Sequence, residues 1–340
     1  MDGGGRHGRA LRRLLIGLLL LLLLSTGALM HISGGPRELI RVARGVDPVV
    51  LAASFFLLSL AEIVKAWRLS LIGERLGVKI PLTVSTIARF SGRMVGVLTP
   101  AYSGATPTRS LIVSAYTGRP PGVTFGIATM ESLMDTLISV TVVIVMAIPY
   151  LPESWLMLLV ALCIGGSWIG GLLWARSDSF ERVINRIKMP ENFRCYILGQ
   201  RKLFLESLRE ASRLGILSVS VLVTLGAHIV EAMGLLVVLK SGLYYIASPL
   251  LVLRAFLLME ATYVLSMSIT PGGALFFEYG LAGLMDPRSL LTWRVVYLAF
   301  SLLPGLVIAL TVSRVRRYIS EALEQEIKGC EEGGEGSESI

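Results

Sequence analysis

Arg89–Asp135 reads RFSGRMVGVLTPAYSGATPTRSLIVSAYTGRPPGVTFGIATMESLMD. It sets Arg89, Arg93, Arg109, Arg119, Glu131 and Asp135 among apolar residues and helix breakers, between strongly apolar flanks. A charge at the centre of a bilayer costs about 3 kcal/mol on insertion scales, so such groups are usually paired or functional. Pro100 lacks an N–H and cannot continue a straight helix. Non-helical backbone persists at membrane depth only inside protein or against a water-filled cavity. The stretch therefore predicts a polar site within a membrane protein.

The flanks set the class. Of 340 residues, 54% are hydrophobic and only 16% charged, with a mean hydropathy of +0.70. Soluble domains are about a quarter charged. Leu14–Ile32, Ser154–Ala175 and Val295–Ser313 contain no Asp, Glu, Lys or Arg, and a spanning helix needs roughly 20 mostly apolar residues. The expectation is an all-α polytopic membrane protein. It has about six full transmembrane helices plus two re-entrant or broken helical hairpins, arranged as a candidate inverted repeat. The net charge of +8 reads as basic cytoplasmic loops facing anionic headgroups. No nucleic-acid-binding motif accompanies it. Cys163, Cys195 and Cys330 lack metal-site spacing and do not suggest a disulfide framework.

Arg6, Arg9, Arg12 and Arg13 precede the Leu-rich run, which continues past a signal-like Ser25-Thr26-Gly27-Ala28 to Ile32. We read a retained first helix with its N-terminus inside. Ser33–Asp47 reads as a loop, although Arg37, Arg41 and Arg44 fit an outside location poorly. Val49–Gly73 is the second span. Its Glu62, Lys65 and Arg68 read as snorkelling at the inner surface, with a functional role as the alternative. Thr83–Leu98 carries Arg89 and Arg93 at i, i+4, and Tyr102–Gly122 reads as a Gly-, Pro- and Ser-rich connection. Val123–Tyr150 and Ser154–Ala175 are the next spans. Arg176–Arg213 reads as a basic cytoplasmic segment with amphipathic helices on the inner surface. Leu214–Leu239 contains His228 and Glu231, which we do not read as a metal site. Ser248–Ile269 leads to Thr270-Pro271-Gly272-Gly273, then Ala274–Met285 with Glu278. Leu290–Ser313 is the last span, kinked or broken at Pro304-Gly305. Residues 1–317 read as one transmembrane domain, and 318–340 as an acidic, disordered cytoplasmic tail.

Basic segments place both termini on one side, so the stretches around Thr99-Pro100 and Thr270-Pro271 can dip and return instead of crossing. Inverted repeats with broken helices meeting at the midplane recur in transporters. Within them, Arg89, Arg93 and Arg109 form the candidate phosphate-binding group, because guanidinium matches phosphate with bidentate donors. Glu131 and Asp135, with Glu278, are candidates for headgroup contact or proton coupling; a structural ion pair with Arg93, Arg109 or Arg119 is the alternative. Pro100, Gly104, Pro271, Gly272 and Gly273 mark the helix breaks. No catalytic triad, P-loop or metal spacing is present, and no cofactor is expected.

Gly92–Arg109 (GRMVGVLTPAYSGATPTR), Met130–Asp135 (MESLMD) and Thr270–Glu278 (TPGGALFFE) together resemble the membrane region of lysylphosphatidylglycerol synthases, including its stand-alone, flippase-like archaeal members. The resemblance spans about Val49 to Ser313. It implies movement of an anionic, aminoacylated or polyprenyl-phosphate-linked lipid in the cytoplasmic membrane, with membrane lipids and a separate synthase or glycosyltransferase as partners. Pro100, Gly104 and Arg109 match the family's Pro…Gly…Arg element. Glu131 and Asp135 match Glu-Arg-x-x-Asp, with Ser132 where Arg is usual, and Pro271, Gly272, Gly273 and Glu278 match Pro-Gly-Gly…Glu. The alternatives are an enzyme associated with membrane glycosyltransfer and a non-catalytic partner subunit, both acting on polyprenyl phosphate lipids. The lack of an aminoacyltransferase or nucleotide-binding domain weighs against the enzyme.

Overall fold

A computed structural model describes residues 3–148, 154–187, 189–240 and 249–311. The acidic tail, 318–340, lies outside the described residues. Those described form thirteen α-helices and no strand. Five helices have the length and composition to cross a bilayer: α3 (Pro48–Arg75), α6 (Pro121–Ala147), α7 (Trp155–Arg176), α10 (Leu214–Lys240) and α13 (Pro287–Thr311). The apolar Ile16–Ile32 belongs to α1 (Gly3–Ile32). The protein is a polytopic helical membrane protein.

Local chemistry explains the ends of these elements. The Asp47 carboxylate accepts from Val49 N at 2.8 Å, and Pro48 opens α3 where its missing N–H is harmless. Residues Ser33–Asp47, expected as a loop, contain a helix, α2 (Pro36–Arg44). An Arg41–Glu38 ion pair bridges its first turns, and Leu39 packs on the core. The connection expected at Tyr102–Gly122 is largely α5 (Ala105–Thr117), with Thr106-Pro107 in its first turn and left-handed Gly118 ending it. The last span does not break at Pro304: α13 runs through it. A Cβ at Gly305 would lie 2.9 Å from Phe90 O, so the close packing of α13 on α4 (Leu82–Leu98) needs that glycine.

The basic segment forms α8 (Asp178–Arg186) and α9 (Glu191–Ala211). The second of these is not a free surface helix. It lies along α6, where a Cβ at Gly126 would meet Ser207 and Phe204, and one at Gly122 would sit 2.3 Å from Gln200 O.

Two hairpins organise the centre. The first is α4, a break at 99–104, and α5. Gly92 and Gly96 lie one turn apart on α4 and let α5 fold back onto it, since Cβ atoms there would meet Arg109, Ala105 and Tyr102 within 3.0 Å. The second is α11 (Pro249–Ser266), a break, and the short α12 (Phe276–Ala282). Their tips share one backbone conformation. Thr99 and Thr270 are extended, then Ala101 (φ 53, ψ 25) and Gly272 (φ 55, ψ 20) are left-handed, as are Tyr102 and Gly273. Ser103 N donates to Pro100 O and Ala274 N to Pro271 O, each at 3.1 Å. The tips meet, with Ala101 N donating to Ser268 O at 3.1 Å.

The surrounding packing is paired in the same way. α4 packs on α13, and α11 packs on α6, while α3 packs on α10. Ser54 reaches Gly234 whereas Arg68 reaches Thr224, so α3 and α10 are antiparallel. The units α3–α6 and α10–α13 are thus inverted copies of one design, which the two Thr-Pro sites mark in sequence.

Left-handed backbone is strained for residues with a Cβ. A Cβ at Gly273 would also fall 2.2 Å from Leu265 O. Gly273→Ala is expected to lower stability by more than about 1 kcal/mol, while Ala101→Gly stays near wild type; melting in detergent measures both. Asp286 caps α13 through Arg288 N and Ser289 N, each at 3.0 Å. Partial burial alone would raise its pKa, but these donors win and hold the carboxyl below its ordinary value. Its contribution is therefore present above the unfolded pKa and lost as pH falls through the folded one. Asp286→Ala is expected to destabilise at neutral pH, by about 1 kcal/mol, and progressively less in acid melts.

Candidate functional site

Where the two inverted units meet, a continuous set of buried charges fills the interior. α3 presents Glu62, Lys65 and Arg68 at steps of three, which put them on one face. All three are fully buried. The snorkelling expected of them is overturned: the face points into the bundle because its partners lie there. Glu62 takes Arg89 Nε at 2.7 Å on one oxygen and Arg93 Nη2 at 3.0 Å on the other. Lys65 Nζ donates to both oxygens of Glu231, at 2.9 and 2.8 Å. Arg68 Nη1 reaches Asp135 Oδ1 at 2.7 Å, and Nη2 reaches Glu131 Oε1 at 3.2 Å.

Glu131 and Asp135 are one turn apart on α6 and share Arg68 and Arg89. Arg109, on α5, donates to Glu131 Oε2 at 3.2 Å and to Ser132 Oγ at 3.1 Å. Arg119 stands apart and donates to Gly77 O. His228 Nδ1 lies 2.7 Å from Glu260 Oε1, its Nε2 is 3.7 Å from Asp135 Oδ1, and Ser139 donates to Glu260. The Arg93 guanidinium rests 4.6 Å from the Phe300 ring centroid.

Five cations (Lys65, Arg68, Arg89, Arg93, Arg109) and five carboxylates (Glu62, Glu131, Asp135, Glu231, Glu260) join in this set, linked at its edge through His228. The five cations and five carboxylates balance, and His228, set between Glu260 and Asp135, adds one positive charge when protonated. That balance lets so many charges sit together away from water. Among the described residues, no group of three His, Cys, Asp or Glu side chains is placed to hold a metal ion.

Glu278 lies outside this cluster. Its Oε1 is 2.8 Å from Arg294 Nε and accepts from Ser25 Oγ at 2.6 Å, while Oε2 accepts from Leu275 N at 2.7 Å. Arg294 also donates to Gly272 O at 3.0 Å, so this pair pins the second hairpin tip to α1 and α13. Of the breaks singled out in sequence, Pro100, Pro271, Gly272 and Gly273 sit in the two tips, and Gly104 precedes α5 in helical conformation.

The sequence reading missed Glu62, Lys65, Arg68, His228, Glu231, Glu260 and Arg294 as members of buried clusters. The available signals were the three-residue step along α3 and the position of Arg294 inside the apolar run of α13. No local pattern marks Glu260, whose partners come from α6 and α10.

Two clefts flank the main cluster. One, of about 780 Å³, is lined by the first tip, the start of α5, α6, α7, α8 and α9. The other, of about 390 Å³, is lined by Val143 and Ala147 of α6 with residues of α7 and α11 and Leu284. Along α6, Phe125 and Thr129 face the first cleft, and Glu131, Ser132, Asp135 and Ser139 lie between the two. Thr106 lines the larger cleft, and its hydroxyl is 2.9 Å from Ser132 Oγ, which connects the cleft to Arg109.

The family model for the lysylphosphatidylglycerol synthase TM region matches residues 11–307. The chain belongs to that family. Members are membrane proteins linked to lipid modification or transport, and that coarse description holds for this chain. No curated protein matches it.

Removing one partner of a buried ion pair costs about 3–5 kcal/mol, whereas replacing both with apolar residues is often neutral or better. Lys65→Met is therefore expected to destabilise strongly, and Lys65→Met with Glu231→Leu to recover most of the loss. Thermal unfolding of the purified variants in detergent measures this.

Proposed function

We propose that this protein carries lipids between the leaflets of the cytoplasmic membrane, with both termini in the cytoplasm. Its substrate class is an anionic, aminoacylated or polyprenyl-phosphate-linked lipid. The observation that carries this reading is the arrangement along α6, where clefts at its two ends are separated by the buried charge cluster. From Phe125 to Ala147 that helix rises about 33 Å, close to the thickness of the hydrocarbon core. The cluster closes the path in the present conformation, because every cation in it is held by a carboxylate. Family membership supports lipid as the cargo. The inverted repeat supplies two related conformations in which one cleft and then the other can open.

Of the cluster's arginines, Arg109 is the one joined to the larger cleft through the Thr106–Ser132 link, so a lipid phosphate displaces Glu131 from it first. Arg89 and Arg93 follow as Glu62 is freed. Glu131 and Asp135 take up cationic headgroup atoms or protons in exchange, while Glu278 stays with Arg294 at the second tip. In liposomes with labelled phosphatidylglycerol, its lysyl ester or polyprenyl phosphate, the protein is expected to speed transbilayer movement of at least one lipid well above empty liposomes. Arg109→Ala is expected to slow it at least tenfold. Rates equal to those of empty liposomes for all three lipids, with lipid binding unchanged by Arg109→Ala, would overturn the proposal.

A further inference from the structure

The arginines of the cluster are neutralised, so a lipid phosphate arriving from the bilayer first needs a different anchor. We infer that the larger cleft is a receiving site for one phospholipid-type molecule, with its phosphate ester held at the N-terminal turn of α5 by Ser103, Thr106 and the first free N–H groups. This inference rests on the transport reading and names where its cargo docks.

Four observations converge on the cleft. First, the initial turn of α5 lines it, and the N–H groups of Ala105 and Thr106 have no intrahelical acceptor, as at any helix start. No side chain caps that end. Such a terminus attracts phosphate through its N–H groups and the helix dipole. Second, Thr129 lines the same cleft and is only 4% exposed, and its buried hydroxyl has no hydrogen-bond partner. A buried unpaired hydroxyl is unfavourable until a ligand supplies an acceptor or donor. Third, the described residues lining the cleft include Arg201 and no acid. Arg201 itself is tied to Ala175 O, Ser177 O and Glu181, so it holds α9 in place and leaves the α5 terminus as the free anion contact.

Fourth, the remaining walls suit a hydrocarbon chain. Phe125, Trp168, Leu172 and Phe204 line the cleft. α7, which forms one wall, is the least buried of the five spans at 28%, and exposes Ile169 and Leu173 beside it. A chain seated there would run from the cleft onto an apolar, lipid-facing surface. A volume of about 780 Å³ is within the range of sites that hold small organic ligands. From this position the headgroup sits one hydroxyl link, Thr106 to Ser132, from Arg109.

The test uses the full chain in detergent with a phosphatidylglycerol that carries a photoreactive diazirine on one acyl chain, and adducts mapped by mass spectrometry. Adducts are expected to concentrate on peptides bearing Phe125, Trp168, Leu172 and Phe204. Unlabelled phosphatidylglycerol should compete at least fivefold better than diacylglycerol with the same chains, and inorganic phosphate should not displace the label. Thr106→Val and Thr129→Val, which keep side-chain shape, should each lower labelling at least threefold, while Leu162→Ala, on another part of α7, should not.

Labelling spread evenly over lipid-facing residues would overturn the site. So would equal competition by diacylglycerol, displacement by inorganic phosphate alone, or wild-type labelling in folded Thr129→Val. Capture at the cleft without transbilayer movement would overturn the translocase reading and leave this site standing. Movement in liposomes with labelling outside the cleft would do the reverse.

Discussion

Mutual neutralisation of ten charged side chains away from water is the constraint on which the rest of the structure depends. An uncompensated charge in this setting is prohibitive, while a paired one is tolerable only with close geometry and further hydrogen bonds. Each helix that brings a charge therefore fixes the place of another. α3 cannot rotate without stranding Arg68 from Asp135 and Lys65 from Glu231 together. α4 is tied to α3 through Glu62 and to α6 through Glu131. Apolar contacts inside a bilayer discriminate poorly between helix faces, since lipid tails are as apolar as leucine. The ion pairs supply the specificity that hydrophobic burial provides in water.

The broken hairpins make this possible. A continuous helix presents its charges at fixed heights and leaves no free backbone within the membrane. Turning back at Thr99-Pro100 puts Arg89 on one arm and Arg109 on the other, both reaching Glu131 of α6, while Arg93 turns to Glu62 of α3 and Glu231 of α10. The backbone at the tips is not orphaned, because each tip bonds within itself and to its counterpart. The same turn uses Gly272-Gly273 in one unit and Ala101-Tyr102 in the other. The second arms also differ, since α5 is nearly twice as long as α12. The repeat is thus symmetric at its tips and asymmetric in its arms, and the longer arm borders the larger cleft.

Much of this is legible in sequence, for identifiable reasons. Runs such as Leu214–Leu239 announce spans by length alone, and Thr-Pro pairs inside apolar sequence announce breaks. Glu131 and Asp135 stand out because carboxylates are rare in such surroundings. What stays hidden is the direction in which a charge points. Glu62, Lys65 and Arg68 near the end of a span fit a surface anchor equally well, and only the pairing with α4, α6 and α10 decides the matter. Pro304 looks like a break, yet the helix continues, because a proline without its own N–H bond is tolerated where neighbouring helices hold the chain. Helix α9 reads as a surface helix because its fit to α6 depends on the small residues Gly122 and Gly126, which lie far along the chain from the Gln200, Phe204 and Ser207 they meet.

Neutrality also bears on the cargo. An added lipid phosphate brings one negative charge to a set whose five cations and five carboxylates balance, so a positive charge on His228 or some other change must offset it. Either a carboxylate leaves its arginine and takes a proton, or the cargo brings its own positive group. On the transport reading proposed above, an aminoacylated headgroup would do the latter, bringing an ammonium to Glu131 or Asp135. Ser132 matters here, since the residue resembling it in the family is usually arginine. A cation at that point would give the cluster a net positive charge and a standing demand for an anion. With Ser132 the demand disappears, and the hydroxyl instead links Thr106 to Arg109.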